Sequence, residues 1–168
     1  MTATAPGSTE SRSAGPVADA RLLGLAHYAA RGVLEHVLAR HGITFLQQIV
    51  LRAAVTADAP PSVDDVVAQV RASLKADPAD IRAAVDELQS RRLLVEDGAR
   101  LRSTAAGRDL LAAVGAETAP FTARIWGGMP AEDLAAAGRV LTLVAERADA
   151  QLAALNAEGP DRERVGGV

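Results

Sequence analysis

Ten residues constrain this chain more than any others. Leu93-Leu94-Val95-Glu96 is followed by Asp97-Gly98 and then by Ala99-Arg100-Leu101-Arg102. Asp-Gly between two short alternating runs is a strong local signal for a two-residue β-hairpin, because a type I′ turn needs positive φ at both central residues and this pair tolerates it. With Asp97-Gly98 as the turn, Leu94 lies opposite Leu101 on one face and Val95 opposite Arg100 on the other. The first face is apolar and packs on its surroundings. The second presents charge.

The rest reads as helix, in keeping with a sequence dominated by Ala and Leu. A first helix spans about 17–40, where Leu22, Ala26, Ala29, Val33 and Val37 recur at helical spacing and Leu23, Ala30, Leu34 and Leu38 widen the stripe. So broad a band needs more than one partner surface, and Gly42 suits the left-handed position after its end. Thr44 with Gln47, and Ser62 with Asp65, have the spacing of capping boxes opening a second helix and a third over about 63–74. Asp77-Pro78 opens a fourth that buries Ile81, Val85 and Leu88. After the hairpin, a fifth helix runs from about 104 to the Gly127-Gly128 break and a sixth over about 130–155. In the sixth, Leu134, Gly138, Leu141, Ala145, Ala148, Leu152 and Leu155 alternate by four and three, the spacing of a helix–helix seam. Residues 1–16 read as a disordered arm and 156–168 as a flexible tail.

Composition removes several functions. With no cysteine there are no disulfides, thiolate nucleophiles or Cys-ligated zinc. No apolar run approaches the ~20 residues that span a bilayer, and residues 1–16 lack the basic and apolar segments of a secretory signal. A cytoplasmic protein without membrane attachment is expected. No Gly-rich cofactor loop and no nucleophile-and-base arrangement is present, so an enzyme is not expected. His27, His36 and His41 lack the i, i+4 spacing of a helical metal pair, and neither metal nor cofactor is expected. The formal charge is −3.

Three helices followed by a hairpin have the order of a winged helix-turn-helix, in which the third helix braces the fourth and the fourth enters the major groove. The residues carry a more specific likeness. The run from His41 through Leu51 resembles the opening of the second helix in the MarR family of transcription factors. Asp77-Pro78 through Asp86-Glu87-Leu88-Gln89-Ser90-Arg91-Arg92-Leu93-Leu94 resembles that family's recognition helix and exit. Leu101-Arg102-Ser103-Thr104-Ala105-Ala106-Gly107-Arg108 resembles its lead-in to the fifth helix, and Met129-Pro130-Ala131-Glu132-Asp133-Leu134 the start of its last. There are departures. The wing is shortened, which leaves Arg100 as the nearest equivalent of the family's wing arginine. Ala83 stands where the family often has arginine, with Arg82 one place earlier. Arg92 replaces the common glycine before the wing.

The resemblance implies a mainly α, winged helix-turn-helix fold: a helical dimerisation region over 17–43 and 104–155, and a DNA-binding lobe over 44–103. It implies a homodimer that reads a pseudo-palindromic operator in double-stranded DNA as a ligand-responsive repressor. Ser62, Lys75, Arg82, Arg100 and Arg102 are the candidate DNA contacts. Arg82 suits a guanine edge or a phosphate, or else pairs with Asp86 at i+4. Asp80 reads as a first-turn cap. Arg100 and Arg102 suit phosphate or the minor groove, or else only protect an edge strand. His27, Tyr28 and Arg31 form a polar cluster on the first helix, which lines an effector cleft for a small aromatic or anionic ligand or forms interface hydrogen bonds. Trp126 reads as packing, or as a wedge in the dimer interface or in a ligand pocket. From Ser62 to Arg102 there are seven Lys/Arg against eight Asp/Glu. That balance keeps a second reading open, a winged helix that binds protein or ligand and no longer reads DNA.

Overall fold

A computed structural model describes residues 17–162, with the side chains of 158–162 left out. The arm expected over 1–16 lies outside the described residues, as do the last residues of the expected tail. The described chain contains α1 (Ala20–Arg40), α2 (Phe45–Thr56), α3 (Val63–Leu74), α4 (Pro78–Ser90), β1 (Leu94–Asp97), β2 (Arg100–Ser103), α5 (Ala105–Trp126) and α6 (Ala131–Arg162). It divides into two compact units between Phe121 and Thr122. The fold is mainly α with one two-stranded antiparallel sheet, the winged helix-turn-helix that the order of elements implied.

Local chemistry sets the helix boundaries. Thr44 Oγ1 accepts from the Gln47 N–H while the Gln47 side chain accepts from the Thr44 N–H, closing the capping box of α2. Ser62 and Asp65 do the same for α3. Asp77 caps α4, with Pro78 in the first turn where its missing N–H costs nothing. At the end of α1 the Gly42 N–H donates to the Ala39 carbonyl and the Ile43 N–H to Leu38, with Gly42 at φ +65. At the end of α4 the Arg92 N–H donates to Gln89 and the Leu93 N–H to Leu88, but here the left-handed position holds an arginine, at φ +57.

One core fills the space between α2, α3, α4 and the hairpin. Val50, Leu51, Val66, Ile81, Leu88, Leu94 and Leu101 are inaccessible to solvent there. A smaller cluster of Val37, Leu38, Ile43 and Val114 joins the end of α1 to α5, with Phe45 and Phe121 packed against it. Arg40 and His41 both reach Glu117 of α5, His41 Nε2 at 2.8 Å from its carboxylate. Arg91 Nη1 donates to the Gly42 carbonyl at 2.7 Å, tying the end of α4 to the end of α1.

The hairpin register differs from the sequence reading. Leu94 pairs with Ser103, Val95 with Arg102, Glu96 with Leu101 and Asp97 with Arg100. The turn residues are therefore Gly98-Ala99, and Asp97 ends β1. A type I′ turn over Asp97-Gly98 would hold Asp97 at positive φ. Gly98 takes φ +63, and Ala99 is spared a positive φ, which matches a turn with glycine at its first central position. Because the slip is an even number of residues, the faces are preserved. Leu94 and Leu101 still face the core, and Val95, Arg100 and Arg102 are exposed.

Most of the stripe on α1 is not covered. Val37 and Leu38 are buried, whereas Leu22, Leu23, Leu25 and Tyr28 are exposed. In the second unit, α6 continues to Arg162, past the end at 155 given by the sequence, because Asn156 and Ala157 supply no stop. Val140, Leu141, Leu143, Val144, Leu152 and Leu155 of α6 are also exposed. No helix among the described residues is long and apolar enough to cross a membrane.

Candidate nucleic-acid interface

The candidate surface is built around the first turn of α3. The Ser62 hydroxyl donates to Asp65 Oδ2 at 2.7 Å and accepts from the Asp65 N–H at 3.1 Å, while the Ser62 N–H donates to the same carboxylate at 2.9 Å. The hydroxyl bond, then the backbone bond, hold the Asp65 carboxyl below the usual carboxylate range, and Arg100 acts in the same direction. At the other end of α3, Lys75 takes the left-handed conformation at φ +55. Its N–H donates to the Arg71 carbonyl and its ammonium to Ala72, so its charge lies at the negative end of the helix dipole. Ser62 and Lys75 thus cap the two ends of α3.

The three candidate arginines are exposed, and each meets a carboxylate. Arg82, early in α4, donates from Nη2 to Asp64 Oδ1 at 2.7 Å. Its partner is across the helix-turn-helix on α3, not Asp86 one turn along its own helix, where the sequence reading sought it. Arg100 Nη1 lies 3.8 Å from Asp65 Oδ2 and 3.5 Å from the Pro60 carbonyl. Arg102 Nη1 donates to Asp97 Oδ2 at 2.9 Å, along the outer face of the hairpin. Asp80 and Asp86 are exposed on α4. The wing is pinned at its base, where the Leu101 N–H donates to the Pro61 carbonyl at 2.7 Å. Recognition helix, bracing helix and wing are thereby linked through two adjacent acids, Asp64 and Asp65. Sequence reasoning had Asp65 as a capping residue only, and it missed Asp64 altogether, because no local periodicity reports a contact between residues 18 apart.

The cluster expected on α1 is only partly assembled. The His27 and Tyr28 rings meet edge-on with centroids 5.4 Å apart, and Tyr28 is largely exposed. Arg31 turns away from them. It stacks over the Phe45 ring at 4.7 Å and donates to Glu35 at 2.8 Å. Phe45 and Glu35 line a cavity of about 220 Å³ together with Leu38, Ala39, Ile43 and Thr44. No group of three or more potential metal ligands occurs among the described residues.

An exposed helix braced by a capped helix, with a charged two-stranded wing beside it, defines a winged helix-turn-helix domain. A sequence model described as a helix-turn-helix family matches residues 35–156, and the chain belongs to that family. No curated protein matches the chain. Solved structures do. A MarR-family transcriptional regulator from Rhodococcus sp. superposes with a TM-score of 0.61 at 24% identity, covering 74% of this chain and 89% of that one. CouR from Rhodococcus jostii, bound to p-coumaroyl-CoA, gives 0.61 at 24% identity, covering 74% and 88%. A MarR-family protein of Mycobacterium tuberculosis in complex with p-aminosalicylic acid gives 0.57 at 17% identity, covering 76% and 98%. The fold is that of MarR-family regulators.

Proposed function

We propose that this chain is a cytoplasmic, homodimeric transcriptional regulator that binds a pseudo-palindromic site in double-stranded DNA, acts as a repressor, and is released by a small ligand. It is not an enzyme. The observation that carries the reading is the exposed Arg82 on α4 with Arg100 and Arg102 on the outer face of the adjoining wing. A helix fits the major groove, where an early arginine meets base edges, and the wing's cations lie where the backbone or the minor groove passes. Ser62 and Lys75, at the two ends of α3, offer a further hydroxyl and cation to phosphate once they leave Asp65 and the Ala72 carbonyl. Selecting bound duplexes from a random pool tests the reading: a regulator enriches a sequence with two related half-sites. Enrichment of no sequence overturns it and favours a winged helix that binds protein or ligand.

The exposed leucines and valines of α1 and α6 support dimerisation, because several large apolar side chains left open along each helix mark interaction surfaces. Leu141→Glu together with Leu152→Glu should turn the dimer into a monomer in sedimentation velocity. A wild-type chain that is monomeric at micromolar concentration contradicts this architecture.

The effector reading centres on Arg31, with His27 and Tyr28 on the same helix. The relatives solved with p-coumaroyl-CoA and p-aminosalicylic acid carry aromatic ligands. Here Phe45 lines a cavity with Leu38, Ala39 and Ile43 and carries Arg31 over its ring, while Glu35, the partner of Arg31, also lines the cavity; mainly apolar walls with a few polar groups suit a small ligand. Salicylate that lowers duplex affinity in the wild type and not in Arg31→Ala supports the site. Equal release from both places the ligand elsewhere.

A further inference from the structure

The outer edge of β2 borders a basic recess with no role in the surface described above. A cavity of about 180 Å³ lies between the end of α2, the segment that follows it and the start of α5, where Val55, Ala57, Pro60, Arg102, Ser103 and Arg108 line it. Its ionisable lining residues are both arginines, and no carboxylate lines it. Arg82 and Arg100 are each met by an acid of α3. Arg108 is met by none among the described residues. Its Nη1 donates to neutral acceptors, the Ser103 carbonyl at 2.8 Å and the Ser103 hydroxyl at 3.3 Å. Arg102 bonds one acid, Asp97, and its side chain stays 57% exposed.

The backbone adds a donor. Along an antiparallel strand, successive N–H groups point alternately toward the paired strand and away from it. The Leu101 N–H points away from β1 and donates to the Pro61 carbonyl. The Ser103 N–H, two residues on, points the same way, and no acceptor among the described residues takes it. The Ser103 hydroxyl accepts from Arg108, which leaves its own proton to donate.

We propose that this recess binds a phosphate group, held by the Arg108 guanidinium and by the N–H and hydroxyl of Ser103, with Arg102 at its edge. Guanidinium forks match the oxygens of phosphate, and charge-assisted bonds of this kind are the strong ones. A side chain of α5 and the edge of β2 together offer more donors than the two oxygens of a carboxylate use. The phosphate belongs either to a small phosphorylated compound or to the backbone of bound DNA. The recognition chemistry is the same for both, and one arm of the test separates them.

Amide NMR spectra of the full chain, recorded as inorganic phosphate is added and again with KCl of matched ionic strength, test the site. The Ser103 amide should shift and saturate with phosphate and not with chloride. Arg108→Gln should weaken phosphate binding at least about tenfold, the loss of a charge-assisted bond. Ala57→Glu keeps Arg108 and sets a carboxylate at the recess from an exposed position, and it should weaken binding as well. Thermal melts without phosphate that match the wild type show that the variants fold. Salt titration of duplex binding by Arg108→Gln then assigns the source. A slope flatter by about one places DNA phosphate in the recess, and an unchanged slope places a free phosphate compound there. No saturable shift in the wild type, an equal shift with chloride, or undiminished phosphate affinity in the folded variants overturns the site. None of those three results bears on whether α4 reads DNA.

Discussion

Gly107 lies against the main chain of Leu93 with no space for a side chain. A Cβ built there would fall 2.2 Å from the Leu93 carbonyl oxygen and 3.2 Å from Leu51 Cδ1. The same carbonyl accepts from the Thr104 N–H at 3.1 Å, and Thr104 Oγ1 accepts from the Gly107 N–H at 3.0 Å. The start of α5 is thus locked onto the residue that links the recognition helix to the wing. Gly107→Ala must push this junction apart, and overpacking of this kind costs about 1–3 kcal/mol. Urea denaturation should show a lower midpoint with an unchanged slope. An unaltered midpoint would mean that the junction yields freely.

Arg92 holds a left-handed backbone, φ +57, at the position that ends α4. A residue with a Cβ loses roughly 1–2 kcal/mol there, part of which glycine returns as unfolded-state entropy. Arg92→Gly should therefore stabilise the chain by about 0.5–1 kcal/mol, read as a rise in melting temperature. A fall would show that the arginine side chain makes contacts worth more than the strain.

The depressed Asp65 carboxyl predicts a pH effect of defined sign. Its folded-state pKa lies below that of an ordinary aspartate, so the stability linked to its ionisation is present above the unfolded pKa and is lost as pH falls through the folded pKa. Asp65→Asn should cost stability at pH 7 and cost less at pH 3. Equal losses at both pH values would assign the effect to packing rather than to the charged capping box.

Arg82 and Arg100 should fail in different ways. Arg82→Ala should cost ~1–3 kcal/mol on a selected duplex and little on a random one, as expected of a base contact. Arg100→Ala should weaken both and flatten the salt slope by about one. Equal effects of the two substitutions on both duplexes contradict this division of labour.

What was legible in the sequence was local. Thr44 with Gln47, Ser62 with Asp65, and Asp77-Pro78 carry their capping partners within three residues, and each opens a helix as read. The hairpin was legible as an element, but its register was not. Asp97-Gly98 fits two turn types, and the choice between them depends on which residue takes positive φ. Contacts that cross between elements were not legible: Arg82 to Asp64, His41 to Glu117 across 76 residues, and Arg31 onto Phe45 rather than beside Tyr28. Helical periodicity identifies which face a residue occupies, not which charge from another helix it meets there.

On the proposed function, this winged helix binds duplex DNA through cations that replace counterions on phosphate and then distinguish sequence. Titrating KCl against a selected duplex and a random duplex, with the wild-type chain, tests it most directly. Log K should fall linearly with log salt for both, and the selected duplex should stay the tighter at every concentration. Absence of binding at low salt, or binding indifferent to both salt and sequence, would contradict it.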